Sequence, residues 1–151
     1  MNNDDIISQV AILFAATDER DWQKVRSVLA PTVLVDYSAL GQGAPESLTP
    51  EQLTERWAAV APGFDSTLHE PSDFEVAGND REANVHFRCR ATHVLGNEEW
   101  VLEAAYDMQL YRIDGQWRIT MIRVSPIRQS GNIDLAKQAA EVVKRQNTAN
   151  G

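Results

Sequence analysis

The fold is decided by residues 85–125, which read VHFRCRATHVLGNEEWVLEAAYDMQLYRIDGQWRITMIRVS, because apolar and polar side chains alternate along nearly all of this stretch. Such alternation places successive side chains on opposite faces of a β-strand. Two turn signals interrupt it, Gly96-Asn97 and Asp114-Gly115, and the second strongly indicates a hairpin. The same period of two begins upstream at His69 and breaks at a turn over 78–80. The sequence therefore predicts an antiparallel meander in its second half.

The first residues of the chain predict two helices. Apolar residues recur at helical spacing over 6–14, after acidic and cap-type residues at 2–5. A second amphipathic stretch begins at Asp21, after a short turn over 17–20. We expect this second helix to end at Pro31, because proline cannot continue a helix.

A strand, a loop and a third helix are predicted next. The stretch VLVDY (33–37) is rich in β-branched residues, which favour strands, and a loop rich in Gly and Pro follows over 41–47. Thr49-Pro50 is typical of a helix start, and Pro62-Gly63 is expected to stop that helix.

The last stretch, over 133–143, is amphipathic and predicts a C-terminal helix, with a polar, frayed tail from Lys144. Helices followed by an antiparallel meander are typical of the α+β class. No linker or internal repeat divides the chain, so we expect a single domain over 1–151.

Composition excludes several kinds of function. The 151 residues include 14 Lys+Arg and 22 Asp+Glu, so the net charge is 14 − 22 = −8. This charge argues against non-specific nucleic-acid binding, which needs clustered basic residues. The single cysteine, Cys89, excludes an intramolecular disulfide framework. No signal peptide is evident and no apolar run approaches the ~18 residues of a membrane span, so we expect a cytoplasmic protein with no membrane partner.

The three histidines are the scarce polar groups that need an explanation. His93 falls on the apolar face of its predicted strand, where an imidazole needs a hydrogen-bond partner or a hydrated cavity. A satisfied core histidine and a site histidine are both compatible with that pattern. His86 has the opposite parity, beside Arg88 and Arg90, and is expected at the surface. No HxH or HExxH spacing occurs, so the pattern predicts no metal site.

The stretch TDERDWQKVRSVLAPTVLVDY (17–37) resembles scytalone dehydratase and its SnoaL-like relatives in the nuclear-transport-factor-2-like (NTF2-like) superfamily. The resemblance continues through Thr67-Leu68-His69, the strand that carries His86 and His93, and the hairpin YRIDGQWRI (111–119). It implies a cone in which a curved antiparallel sheet wraps over the N-terminal helices and encloses an apolar pocket.

The resemblance also implies a catalytic group and a mechanism without cofactor or metal. In the dehydratase a His-Asp pair abstracts a proton next to a carbonyl, and tyrosines polarise that carbonyl through a water. The same kind of pair serves hexachlorocyclohexane dehydrochlorinase. By position, the catalytic residues here are His69, Asp18, Tyr37 and His93, the last as an acid or hydrogen-bond donor. We expect the pocket wall to be formed by Trp57, Phe87, Cys89, Ala104, Tyr106 and Met108.

Some positions depart from the dehydratase. Thr17 stands where it has a second catalytic tyrosine, and Ala104 and Tyr106 stand where it has a substrate-holding serine and asparagine. Scytalone itself is therefore not the expected substrate, and a small apolar or aromatic ligand is.

Three functions stay open at this point. The first is a cofactor-free lyase or isomerase that acts on a small, largely apolar carbonyl compound. The second is a non-catalytic ligand-binding or assembly protein of the same superfamily, and the third is a polyketide cyclase. A His69 ring nitrogen bonded to Asp18 beside an open pocket would favour an enzyme, whereas a filled interior would favour a binding role. Because relatives commonly assemble through the outer face of the sheet, we also expect a homo-oligomer, a dimer or a trimer.

Overall fold

The computed structural model describes residues 3–150, with side chains through residue 148. Within this part of the chain there are four α-helices, two short 3-10 helices and six strands. The α-helices are α1 (Asn3–Asp18), α2 (Trp22–Ser27), α3 (Pro50–Ala58) and α4 (Leu135–Asn150). The strands are β1 (Leu29–Asp36), β2 (Glu46–Leu48), β3 (Ser66–Gly78), β4 (Glu82–Leu95), β5 (Glu98–Ile113) and β6 (Gln116–Gly131), and the 3-10 helices cover Ser38–Leu40 and Ala61–Gly63. This order confirms the predicted α+β class.

The strands form one curved, open sheet in the order β2-β1-β6-β5-β4-β3. The meander from β3 to β6 is antiparallel, as the alternating pattern predicts. β1, however, runs parallel to β6, with Leu34 opposite Met121. The expectation of a purely antiparallel sheet is therefore wrong at this pair. No hairpin joins β1 to β6, so no local turn signal in the sequence sets their relative direction.

Two predictions near β1 need correction. α2 ends at Ser27, and Pro31 lies inside β1 rather than at the end of a helix. The pairing of β1 with β6 shifts register between Leu29 and Leu34, so Pro31 lies where the regular ladder is interrupted. The short strand β2 lies in the stretch that the sequence predicts as loop, and its three residues are too few to show a period.

The helix boundaries follow from their caps. The side chain of Asp21 accepts a hydrogen bond from the backbone N–H of Lys24 at the start of α2. Thr49 and Gln52 form a reciprocal capping box at the start of α3, which confirms the predicted start. α4 continues as a helix through Asn150, past Lys144, where the sequence predicts fraying. The cap-type Asn2 lies outside the described residues.

The core lies between α1 and the inner face of the sheet. Ile6, Val10 and Leu13 of α1 are buried, and they belong to one cluster with Phe87 and Met108 of the sheet. Burial alternates along β4, from Ala83 to His93, as the period-two pattern predicts. None of the helices described is long and apolar enough to cross a membrane.

Candidate active site

A cavity of about 380 Å³ lies between the helices and the inner face of the sheet. Most of its wall is apolar, with contributions from Leu13 and Phe14 of α1, Trp57 of α3 and Ile122 of β6. The polar groups that line it include Thr17, Tyr37, Thr67, His69, His93 and Tyr106. A solvent-exposed ion pair, Arg56 with Glu46, also lines the cavity. The interior is thus an open, mostly apolar space with a few polar groups, the usual composition of a small-molecule site.

Asp18 and His69 form a hydrogen-bonded pair beside this cavity, which the His69 ring lines. Asp18 is the last residue of α1, and His69 lies in β3. The His69 Nδ1 is 2.6 Å from Asp18 Oδ1, and the backbone N–H of His69 donates to Asp18 Oδ2 at 2.7 Å. The side chains of His69 and Asp18 are only 16% and 13% exposed. The two contacts together fix the orientation of both the carboxylate and the imidazole.

The carboxylate of Asp18 stays charged in this position. Burial raises its pKa, but the hydrogen bonds from His69 and from the Thr67 hydroxyl, together with the charge of His69, outweigh burial and hold the pKa below its usual value. A charged carboxylate can only accept, so the hydrogen between Asp18 and Nδ1 belongs to the ring. With the single hydrogen of the ring on Nδ1, Nε2 of His69 carries a lone pair.

Phe14 fixes the plane of the His69 ring. The two rings stack with centroids 5.2 Å apart and planes 21° from parallel. Among the described residues, the Nε2 of His69 has no hydrogen-bond partner, whereas every buried side-chain nitrogen or oxygen has one. Nε2 is therefore accessible from the cavity that the ring lines, and is placed to accept a proton from a bound molecule.

Thr67 and Arg20, which the sequence does not predict as site residues, form hydrogen bonds that support this pair. The Thr67 hydroxyl donates to Asp18 Oδ1 at 2.9 Å and accepts from Nη1 of Arg20 at 2.8 Å. Arg20 also donates to the carbonyl of Asp18 at 3.0 Å and to that of Ala61 at 2.8 Å. The signal for Thr67 was its spacing, two residues before His69 on the same face of a strand.

His93 is held by a hydrogen bond between its ring and the backbone of β5. Its Nδ1 lies 2.9 Å from the carbonyl oxygen of Trp100, which can only accept. Burial lowers the pKa of His93 to about 4, against a smaller opposing effect of the bond to Trp100. The ring is neutral near neutral pH and its hydrogen is on Nδ1, so Nε2 cannot donate. In this tautomer Nε2 accepts a hydrogen bond, which differs from the acid or donor role expected of His93.

Two tyrosines are among the hydrogen-bond donors that line the cavity. Burial raises the pKa of Tyr37 to about 12, although a hydrogen bond with the indole of Trp57 opposes this effect. Burial also raises the pKa of Tyr106 well above its ordinary value. Both hydroxyls therefore keep their protons near neutral pH and can donate to an oxygen of a bound molecule.

The sequence of residues 2–123 matches the profile of the SnoaL-like domain. The chain belongs to the SnoaL-like domain family. Among curated proteins, no sequence matches it.

Solved structures share the fold of this SnoaL-like domain, which is that of NTF2-like proteins. The Kfla4162 protein of Kribbella flavida is 18% identical with a TM-score of 0.80, covering 94% of this chain and 96% of its own. A candidate scytalone dehydratase of Novosphingobium aromaticivorans is 16% identical with a TM-score of 0.74, covering 83% and 84%. A hexachlorocyclohexane dehydrochlorinase of Novosphingobium barchaimii is 14% identical with a TM-score of 0.74, covering 87% and 90%.

Only part of the expected pocket wall lines the cavity of this SnoaL-like domain. Trp57, Tyr106 and Met108 line it, whereas Phe87, Cys89 and Ala104 do not. Phe87 lies beneath Tyr106, with stacked rings 5.2 Å apart, and packs edge-on against Phe14 of α1. Cys89 and Ala104 belong to the same packed core. Burial raises the pKa of Cys89 to about 12, which leaves it an unreactive thiol.

His86 lies on the outer face of the sheet, as its parity predicts. It forms a second His-Asp pair, with Nδ1 2.8 Å from Asp107 Oδ1. The side chains of this outer pair are 50% and 43% exposed. Within residues 3–148, no three His, Cys, Asp or Glu side chains are grouped so that they could hold a metal ion.

Proposed function

We propose that this SnoaL-like domain abstracts a proton from the carbon next to a carbonyl in a small, largely apolar or aromatic substrate, and that it acts as a cofactor-free lyase or isomerase of the dehydratase type. The observation that carries the proposal is the buried 2.6 Å contact between His69 and Asp18 beside an open cavity. A buried base with a fixed tautomer and an accessible lone pair is the arrangement that proton abstraction requires.

His69 is the general base in this proposal. Its Nε2 takes the proton, and the electron pair of the broken C–H bond moves onto the carbonyl oxygen to give an enolate. Asp18 stabilises the imidazolium that forms and keeps the ring in the Nδ1–H tautomer. A positioned base typically contributes about 10²–10⁴-fold in rate.

Tyr37 is the group that stabilises the enolate. Its protonated hydroxyl donates to the developing oxyanion, directly or through a water, and Tyr106 offers a second hydroxyl from β5. Donors that are already oriented cost little reorganisation when the charge develops, and one such donor is worth about 10²–10³-fold.

The fate of the enolate decides the reaction. Loss of a leaving group from the neighbouring carbon completes an elimination, and return of the proton to a different carbon completes an isomerisation. Two of the similar structures carry the names of a dehydratase and a dehydrochlorinase, both of which denote eliminations, and this favours the lyase. Attack of the enolate on a second carbonyl would make the protein a cyclase instead.

Proton abstraction can be measured without the natural substrate. Acetophenone and its ring-substituted relatives fit the proposed substrate class, and hydrogen–deuterium exchange at their methyl group in D₂O is followed by NMR. The wild-type protein is expected to accelerate this exchange, and His69→Ala to lower the acceleration by about 10²–10⁴-fold. His86→Ala removes the other Asp-paired histidine and is expected to retain the full rate.

Binding is measured on the same ketones by chemical-shift titration. Ketones that bind in the cavity without any exchange by the wild-type protein would contradict the proposal and favour the ligand-binding alternative. Full exchange by His69→Ala would contradict the assignment of the base.

A further inference from the structure

His93 is the cavity group that proton abstraction leaves without a role. Its ring lines the cavity, and only 7% of the residue is exposed. The bond from Nδ1 to the carbonyl of Trp100 determines where its hydrogen lies, because a carbonyl oxygen has none to give. Nε2 is therefore the unprotonated nitrogen of the neutral ring.

The ring is held between aromatic neighbours. It stacks on Trp100 with centroids 4.0 Å apart and an interplanar angle of 20°, and it lies 5.0 Å from the ring of Phe64. This packing opposes a rotation that would exchange the two nitrogens, and such a rotation would also break the bond to Trp100. Nε2 is thus fixed in direction as well as in protonation.

Nε2 of His93 faces the cavity. It has no hydrogen-bond partner in the part of the chain that the structure describes, whereas every buried side-chain nitrogen or oxygen there has one. Nε2 is consequently accessible, and the cavity is the space that the ring lines. Burial, which lowers the pKa of His93 to about 4, keeps this lone pair free near neutral pH.

We propose that His93 Nε2 is a fixed hydrogen-bond acceptor, which makes the cavity select substrates that carry a hydroxyl or N–H donor in addition to the carbonyl. This inference names the substrate class of the site under the proposed function and rests on that function. The tyrosines donate to the carbonyl side of the substrate, and His93 accepts from its donor side.

The two histidines restrict where that donor lies on the substrate. Their ring centroids are 6.1 Å apart and their planes are 83° from parallel. A substrate that presents its acidic carbon to His69 therefore presents its donor a few bonds away. A ligand that offers only an acceptor at that point leaves the desolvated lone pair of His93 Nε2 without a partner. Such an unpaired acceptor lowers the binding free energy by more than the hydrogen bond would contribute.

Two probes that differ in whether one oxygen carries a hydrogen or a methyl group test the inference. 3-Hydroxyacetophenone and 3-methoxyacetophenone share the ring and carbonyl, but only the first can donate to His93. The wild-type protein is expected to bind the hydroxyl compound about tenfold more tightly, measured by calorimetry or chemical-shift titration. His93→Phe is expected to lose this preference, and His86→Gln, on the outer face, to retain it.

Nitrogen NMR on the wild-type protein provides a second measurement that does not depend on a variant folding. The His93 Nε2 resonance is expected to be that of an unprotonated nitrogen and to move toward the protonated range when 3-hydroxyacetophenone binds. A proton on Nε2 in the free protein, or equal affinity for the two probes, would overturn the inference.

The outcomes separate this inference from the proposed function. A tenfold preference without any exchange of ketone protons supports the acceptor role of His93 and contradicts proton abstraction. Exchange that depends on His69 but shows no preference between the probes supports proton abstraction and overturns the acceptor role.

Discussion

Asp18 is the residue around which the candidate site is built, because it accepts hydrogen bonds from three groups of β3. These are the His69 ring, the His69 backbone N–H and the Thr67 hydroxyl. The outer His86–Asp107 pair shows that a His-Asp contact alone does not make a base, since about half of each of its side chains faces water. Burial, the donor set of Asp18 and the cavity distinguish the inner pair.

Thr67 is predicted to act as a positioning residue. Thr67→Val removes one donor from Asp18 and one acceptor from Arg20, so we expect ketone exchange to fall about tenfold and unfolding free energy to fall by about 1–2 kcal/mol. Thr67→Ser keeps the hydroxyl and is expected to restore the exchange rate. A normal rate in Thr67→Val, or a serine variant as slow as the valine variant, would show that the hydroxyl does not orient the pair.

At the scale of elements, α4 is seated against the 3-10 helix Ala61–Gly63 by a close approach of backbones. A Cβ added at Gly63 would lie 1.9 Å from the carbonyl oxygen of Ala139, which is a backbone atom that cannot turn away. Phe64, Leu135 and Ala139 form a small core cluster at this contact. Phe64 and Ala136 also line the cavity, so this contact forms part of its wall.

Gly63→Ala is predicted to force the backbone of α4 away from the 3-10 helix Ala61–Gly63. We expect the free energy of unfolding to fall by about 1–3 kcal/mol, the usual cost of overpacking, as measured by denaturant titration. Ala59→Ser, at an exposed position after α3, is the control and is expected to change stability by less than about 0.5 kcal/mol. A Gly63→Ala protein as stable as the wild type would contradict this packing.

An element is predictable from the sequence when its signal lies within one short segment, whereas a pairing between distant segments is not. α1, α3 and the four strands of the meander follow from periods and caps within single segments. The parallel pairing of β1 with β6 does not, because residues such as Leu34 and Met121 are joined by no turn. Proline breaks helices and regular strands alike, so the sequence favours a helix end at Pro31. Only the local break in register accommodates it in β1.

The site shows the same limit. Only the family resemblance points to His69 and Asp18, since their spacing shows no pattern. The bond from Arg20 to Thr67 spans 47 positions. The parity of a residue in a strand predicts the face of the sheet on which its side chain lies. It does not predict which part of that face α1 covers. Phe87 and Tyr106 both contact Phe14, yet only Tyr106 reaches the cavity.

At the scale of the whole molecule, acid is predicted to destabilise the fold through His93. Burial lowers its pKa from 6.5 to about 4, and the groups around it include His69, Asp18 and Arg20. Below pH 6.5 the unfolded chain binds a proton that the folded protein does not, so stability falls as the pH falls toward 4. The loss amounts to roughly 3 kcal/mol at about 1.4 kcal/mol per pKa unit.

Denaturant titrations between pH 7 and 4 measure this effect. His93→Gln is expected to show a smaller loss over that range, and His86→Gln the same loss as the wild type. Asp18, whose pKa is lowered, contributes stability that is lost at still lower pH, below its usual value of 3.8. A stability that is flat from pH 6.5 to 4 would contradict a buried, neutral His93.

The state of assembly belongs to this scale as well, and the homo-oligomer stays a prediction. The outer face of the sheet carries ion pairs of Arg90 and Arg128 with Glu103, beside the His86–Asp107 pair. We expect light scattering to give a mass of two or three times the 16.9 kDa of one chain. A mass of one chain at all concentrations would contradict this expectation.

The central claim is that the buried Asp18 makes His69 a base, and the matched variants Asp18→Asn and Asp107→Asn test it most directly. Each variant replaces the carboxylate partner of one histidine by an amide of the same shape, one beside the cavity and one on the outer face. We predict that Asp18→Asn slows deuterium exchange into acetophenone by about 10²–10⁴-fold with its binding little changed, and that Asp107→Asn leaves the rate intact. Equal rates in the two variants would contradict the claim.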